Sequence, residues 1–100
     1  MFLGRVVGTV VSTQKDPKLQ GGKLLIVQHI GIDLEPSKTH VVAMDSVGAG
    51  TGELVVCAAG SSARMTEVTE GLPVDTVILA IVDSLEVGGE IVFRKETDEG

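Results

Sequence analysis

The sequence predicts a mainly-β protein of one domain, with the pattern of a small antiparallel barrel. Of its 100 residues, 43% are apolar but only two are aromatic, so Val, Leu, Ile and Ala must build the core, and this composition favours strands. Short apolar runs alternate with glycine-bearing turns, as they do in small barrels. All three prolines, Pro17, Pro36 and Pro73, fall between these runs. A chain of this length holds one core and gains stability by associating with copies of itself.

The first half of the chain contains three predicted strands. Phe2–Thr13 is rich in Val and Thr, and its glycines indicate points of bending or close approach. Lys23–Ile30 follows a loop at residues 14–22 that carries two turn signals. Thr39–Asp45 follows a second loop, at residues 31–38. This half is therefore expected to consist of β-strands joined by loops.

The middle of the chain predicts a fourth strand and one short helix. The strand, Glu53–Ala59, follows the small-residue loop Ser46–Gly52. Residues 60–68 are compatible with the start of a helix that Ser61 or Ser62 would cap, although no Glu or Gln stands three residues beyond either serine.

The last third of the chain predicts a long strand and a C-terminal hairpin. Val74–Leu85 is apolar on both parities, as in a strand covered on both faces, although a buried helix has the same periodicity. Gly88-Gly89 predicts a tight turn into Ile91–Lys95. Residues 96–100 read as a loose acidic tail.

Charge and composition exclude several classes of partner. The formal net charge of −6 argues against nucleic acid, which draws affinity from clustered Lys and Arg. The N-terminal segment lacks the apolar region of a signal peptide, and no apolar run reaches a membrane-spanning length. The lone cysteine, Cys57, cannot form an internal disulfide, which fits a reducing compartment. We therefore expect a cytoplasmic protein with no nucleic-acid or membrane partner.

The short motifs in the chain do not assemble into a catalytic or cofactor site. Gly48–Gly52 fails the dinucleotide fingerprint, because Glu53 stands where the third glycine belongs and a strand follows instead of a helix. Ser12–Lys15 fits a Ser-x-x-Lys pattern but lacks its companion motifs. His29 and His40 are too few for a typical metal site.

Four carboxylates and the cysteine are the remaining candidates for chemistry. The carboxylates border apolar strands, where acids usually mark solvent-facing ends or pair with basic neighbours; they are Asp45, Glu53, Asp75 and Asp83. Cys57 lies inside an apolar run, where burial discourages thiolate formation. No nucleophile, base and orienting group can be combined from these residues. We expect no enzymatic activity and no cofactor.

Four ordered motifs carry a resemblance to a known family. They are Gly8–Gln28, Ala43–Val56, Gly60–Arg64 and Pro73–Leu85. In this order and spacing they resemble the bacterial microcompartment vertex family, also called the CcmL/EutN family. The resemblance covers residues 1–95 as a single domain.

The resemblance implies a five-stranded barrel related to the oligonucleotide-binding fold. It implies a cyclic homopentamer that caps the vertices of a polyhedral shell, next to hexameric and trimeric shell proteins, within the cytoplasm. A barrel that binds a nucleotide or metabolite is the alternative. Carboxysome, ethanolamine, propanediol and glycyl-radical compartments all remain compatible with the sequence.

The resemblance also implies three groups of site residues. A loop near the five-fold axis, where a narrow pore would form, comprises Gly48, Ala49, Gly50, Thr51 and Gly52. Subunit contacts are expected at Ser61, Ser62, Arg64, Asp75 and Asp83. A candidate shell-docking loop contains Lys15, Asp16, Pro17 and Lys18. The alternatives are an ordinary turn for the first group, an intrachain salt bridge for Arg64, and a solvated loop for the third.

Overall fold

The structure, a computed structural model, describes residues 1–13, 16–19, 22–60, 63 and 75–95. Within these ranges the strands are β1 (Phe2–Val10), β2 (Lys23–Ile30), β3 (Pro36–Asp45), β4 (Leu54–Ala59), β5 (Thr76–Ile81), β6 (Ser84–Val87) and β7 (Glu90–Arg94). A short 3-10 helix, Pro17–Leu19, lies in the loop between β1 and β2. None of the helices in the described ranges is long and apolar enough to cross a membrane.

Five strands close into a barrel in the order β1-β2-β3-β5-β4, which confirms the predicted barrel. Four of the five pairs are antiparallel, as predicted, whereas β3 and β5 run parallel where Met44 pairs with Val77 and Asp45 with Ile78. The reason is geometric. Strand direction cannot alternate all the way round a closed ring with an odd number of strands, so at least one pair must be parallel.

The C-terminal hairpin, β6–β7, forms a separate two-stranded sheet beside the barrel. Its tight turn at Gly88-Gly89 is confirmed, since both residues have positive φ and Val87 pairs with Glu90. The long predicted strand Val74–Leu85 is instead interrupted, because β5 belongs to the barrel and β6 to the hairpin. Between them, the Val82 N–H donates to the Leu54 carbonyl at 2.8 Å. The predicted helix falls almost wholly outside the described residues.

The barrel interior is an apolar cluster of small and branched side chains. Its buried members are Val6, Leu25, Val27, Ala43, Ala49, Val55, Cys57 and Ile78. Seven of them come from strands and alternate with side chains on the other face of the barrel wall, as the pleat requires. Some of those, including Leu54 and Val77, are buried as well. Desolvation raises the pKa of the Cys57 thiol to about 11, so the thiol stays protonated and acts as a core residue.

One end of the barrel wall carries an aromatic stack. Phe2, at the start of β1, packs against the core cluster, and its ring lies over the His29 ring with centroids 3.8 Å apart and planes 7° apart. Because Gln28 pairs with His40 across β2 and β3, His29 and His40 lie on opposite faces of the sheet. They therefore do not share a metal, and among the described residues no group of three potential metal ligands is found.

Candidate functional site

The candidate site is the loop between β3 and β4, which we call the glycine loop (Gly48–Gly52). Its first half is fixed by the carboxylate that precedes it. Asp45 Oδ1 accepts backbone N–H groups from Val47 at 3.0 Å, Gly48 at 3.1 Å and Ala49 at 3.2 Å. Gly48 has a φ of 80°, in the left-handed region where glycine meets no steric penalty. The loop therefore begins as a side-chain-capped turn.

The second half of the loop is fixed by Glu53. Its Oε1 accepts the Gly50 N–H at 2.8 Å, while its Oε2 pairs with Lys95 Nζ at 2.7 Å. The Gly52 N–H donates to the Val6 carbonyl at 2.7 Å, which ties the end of the loop to β1. The hydrogen bond from Lys95, followed by that from Gly50, holds the pKa of the Glu53 carboxyl below its usual value.

Two cations from other strands bind the loop carbonyls. Lys23, at the start of β2, donates from Nζ to the Ala49 carbonyl at 2.8 Å. Arg5, in β1, donates from Nη1 to the Gly52 carbonyl at 2.8 Å. Hydrogen bonds with one charged partner are stronger than neutral ones. The glycine loop is thus held by charged side chains from several parts of the barrel.

The loop presents very little side chain to the outside. Ala49 is fully buried and packs into the barrel core, so its methyl group faces inward and its carbonyl receives Lys23. Thr51 and Gly48 are exposed, and Gly50 and Gly52 are half-buried. The outward surface of the glycine loop therefore consists of backbone and the Thr51 side chain.

The carboxylates considered for acid-base chemistry have structural roles in this arrangement. Asp45 caps the first half of the glycine loop, and Glu53 joins its second half to Lys95. Sequence reasoning singled out both acids but missed Arg5 and Lys23. The position of the acids at the two borders of the loop was the available signal, whereas the cations reach it through strand pairing, Lys23 opposite Asp45 and Arg5 opposite Leu54.

The predicted subunit-contact residues are only partly described. Asp75 and Asp83 are exposed, and each contributes a backbone carbonyl to the chain's own fold. Asp75 accepts the Gly60 N–H at 2.8 Å, and Asp83 accepts the Lys95 N–H at 2.9 Å. The other members, Ser61, Ser62 and Arg64, lie outside the described residues.

The predicted docking loop is described from Asp16 to Lys18, whereas Lys15 lies outside the described residues. Asp16, Pro17 and Lys18 are all exposed. Asp16 Oδ1 accepts the Lys18 N–H at 2.9 Å, so this short segment has a local turn conformation of its own.

The ion pair at the loop leads to a pH-dependent prediction. Because the pKa of Glu53 is lowered on folding, its contribution to stability is present above the usual value of 4.5 and is lost as pH falls through the folded value. We expect Glu53→Gln to flatten the dependence of the unfolding free energy on pH below that value. Urea unfolding measured at several acidic pH values checks this.

The control for this experiment is Glu90→Gln, which removes one exposed carboxylate next to the hairpin turn. This variant should show the same dependence of the unfolding free energy on pH as the parent chain. If the two variants gave the same pH dependence, Glu53 would not be the group responsible.

The fold and the loop define a class of protein, a small barrel that presents a rigid, nearly side-chain-free loop. The chain matches the family model described as ethanolamine utilisation protein EutN/carboxysome over residues 1–83. It is 44% identical over 86 residues to the bacterial microcompartment shell vertex protein GrpN of Rhodospirillum rubrum, covering 86% of this chain and 97% of the relative. The chain therefore belongs to the EutN/CcmL family of shell vertex proteins, as its sequence motifs predicted.

Solved structures agree with this assignment. The structure of Gloeobacter violaceus CcmL superimposes with a TM-score of 0.91 at 42% identity, covering 96% of this chain and 99% of that one. The GrpN structure, described as a pentameric microcompartment shell protein, has a TM-score of 0.80 at 44% identity, with coverages of 87% and 99%.

Proposed function

We propose that five copies of this chain form a closed ring that caps a vertex of a bacterial microcompartment shell. The observation that carries this proposal is the close similarity to GrpN, a relative described as pentameric. A second solved relative described as a pentameric shell protein, from the RMM microcompartment, has a TM-score of 0.70 at 30% identity. Flat six-fold tiles alone cannot close a polyhedron, so five-fold units must supply the curvature at its corners.

In this ring the glycine loop faces the five-fold axis. Its outward surface of backbone and Thr51 supports this position, because small residues allow five copies to approach one point closely. The hydrogen bonds from Arg5, Lys23, Asp45 and Glu53 keep each copy of the loop in the same shape. A narrow opening lined by backbone follows from this arrangement.

Contacts between neighbouring subunits involve the segment that contains Ser61, Ser62 and Arg64, together with the exposed carboxylates of Asp75 and Asp83. An Arg guanidinium binds a carboxylate through a planar fork of donors, so these groups are complementary in charge and geometry. Each interface in the ring is heterologous, which means that two different patches of the chain meet. The ring closes when the fifth copy contacts the first.

The exposed segment Asp16–Lys18 meets the neighbouring hexameric and trimeric shell proteins. Its position in a surface loop outside the barrel supports this role. The protein works in the cytoplasm as part of the shell and performs no chemical turnover, in keeping with relatives named as shell vertex proteins. Its contribution is the shape of the ring.

Native mass spectrometry of the purified chain tests the proposal. We expect one dominant particle with five times the 10.4 kDa mass of the chain. Asp75→Lys reverses a charge at the proposed subunit contact and should shift the population towards smaller species. Glu35→Lys makes the same charge change at an exposed position in the β2–β3 turn and should leave the particle unchanged.

A chain that remains monomeric at micromolar concentration would contradict the ring. Electron micrographs of shells made without this chain provide a second test, and we expect them to show open corners. Corners that are sealed without it would contradict the capping role.

A further inference from the structure

The C-terminal hairpin contacts the residues that hold the glycine loop, at two separate points. The first point is Glu53, which binds Lys95 beyond the end of β7 and the Gly50 N–H of the loop. The second is Arg5, which lies near the Phe93 ring of β7 and binds the Gly52 carbonyl. We propose that the hairpin is a latch, whose docking against the barrel sets the conformation of the glycine loop.

The Glu53 bridge is the stronger of the two. Its carboxylate uses one oxygen for the loop and the other for the hairpin, at 2.8 Å and 2.7 Å. Only 16% of the Glu53 side chain is exposed, so water competes weakly for these oxygens. When Lys95 is removed, the carboxylate loses the partner that orients it towards Gly50.

The Arg5 bridge works through packing as well as charge. Phe93 is 2% exposed and is the one buried side chain in the strands of the hairpin. The Arg5 guanidinium carbon lies 6.0 Å from the centre of the Phe93 ring, at the outer limit of a cation–π contact. In the proposed latch, Phe93 lies beside Arg5 while Arg5 binds the Gly52 carbonyl, so displacing the hairpin removes one neighbour of the guanidinium.

The two parts that the latch joins are each weakly structured by themselves. A two-stranded hairpin is marginally stable in water, so β6–β7 depends on its contacts with the barrel. A loop with three glycines in five residues has high conformational freedom, which its side-chain partners must restrict. Coupling between such elements is reciprocal, so loosening the loop must also loosen the hairpin.

The family model matches residues 1–83 and ends where the hairpin begins, so the latch lies beyond the segment that defines the family match. The coupling is contained within one chain. If the glycine loop lines the axis of the proposed ring, the latch sets the shape of the opening, and this consequence alone rests on the proposed function.

Amide hydrogen exchange of the full chain, followed residue by residue by NMR, tests the latch. Lys95→Met removes the charged donor and keeps an unbranched side chain that is one atom shorter. We expect exchange at the Gly50 amide to rise by at least about tenfold, the effect of losing one hydrogen bond to a charged group. Amides of the core residues Leu25 and Val27 should keep their protection.

The matched controls are Lys18→Met, which removes an exposed lysine elsewhere, and Lys95→Arg, which keeps the charge at the hairpin. Both should leave the Gly50 amide as protected as in the parent chain. In the reverse direction, Glu53→Gln should raise exchange in β7, whereas Glu90→Gln should not.

Two results would overturn the latch. One is a Lys95→Met variant whose hairpin amides exchange faster while the Gly50 amide does not change. The other is equal acceleration of loop and core amides, which would show general destabilisation instead of coupling. Hydrogen exchange can be measured on a single chain and does not require the ring. A monomeric chain would therefore contradict the proposed function, whereas the exchange data would still test the latch.

Discussion

Replacing Ala49 by Asp is expected to lower the free energy of unfolding by about 3–5 kcal/mol, the cost of an uncompensated buried charge. Ala49 is fully buried and packs into the barrel core although it belongs to a loop. The new carboxylate would have to enter this apolar interior or pull the loop out of it. Either result disrupts the packing of the glycine loop against the barrel core.

Thermal unfolding at a fixed chain concentration measures the effect, with Thr51→Asp as the control. Thr51 lies two residues away in the same loop and is exposed, so an Asp at this position keeps its charge in contact with water. We expect Ala49→Asp to lower the melting temperature by more than about 10 °C and Thr51→Asp to change it little. Similar melting curves for the two variants would show that Ala49 does not anchor the loop.

Replacing Gly4 by Ala is expected to destabilise the barrel by about 1–3 kcal/mol through overpacking. A Cβ at this position would overlap the buried Val27 Cγ1 and would come within 3.1 Å of the Gln28 carbonyl oxygen. Neither neighbour yields easily, because Val is stiff at χ1 and the carbonyl belongs to the β1–β2 ladder. Urea unfolding of parent and variant measures the difference.

Gly8→Ala is the matched control, since Gly8 lies in the same strand. A Cβ there would meet Ile26 Cδ1 at 3.5 Å, an ordinary contact. We expect this variant to keep the stability of the parent or to gain slightly, because alanine restricts the unfolded chain more than glycine does. Equal losses for both variants would contradict the close approach of β1 and β2 at Gly4.

The glycine loop is surrounded by ionisable side chains that hold its backbone. Asp45, Glu53, Arg5 and Lys23 are four ionisable groups around one loop, an arrangement that in other folds marks an active site. Here each of them binds backbone of the loop itself. Their hydrogen bonds hold the backbone of the glycine loop in one shape.

The sequence by itself determined the class of fold and the family. Alternating apolar runs with glycine and proline between them predicted β1 to β4 and the C-terminal hairpin, because side-chain alternation and turn chemistry are local properties of the chain. The ordered motifs predicted the vertex family, and the placement of Asp45 and Glu53 at the borders of the glycine loop was visible without any structure.

Only the tertiary structure decided which distant residues meet. The β3–β5 pair is parallel because the barrel closes with an odd number of strands. The predicted strand is interrupted between β5 and β6 because the chain leaves the barrel there and enters the separate hairpin sheet. Arg5 and Lys23 bind the glycine loop, and Lys95 binds the neighbouring Glu53, from positions far apart in sequence. Their meeting depends on strand register, which bulges such as that between Val6 and Gly8 shift by one residue, and a local pattern carries no information about that shift.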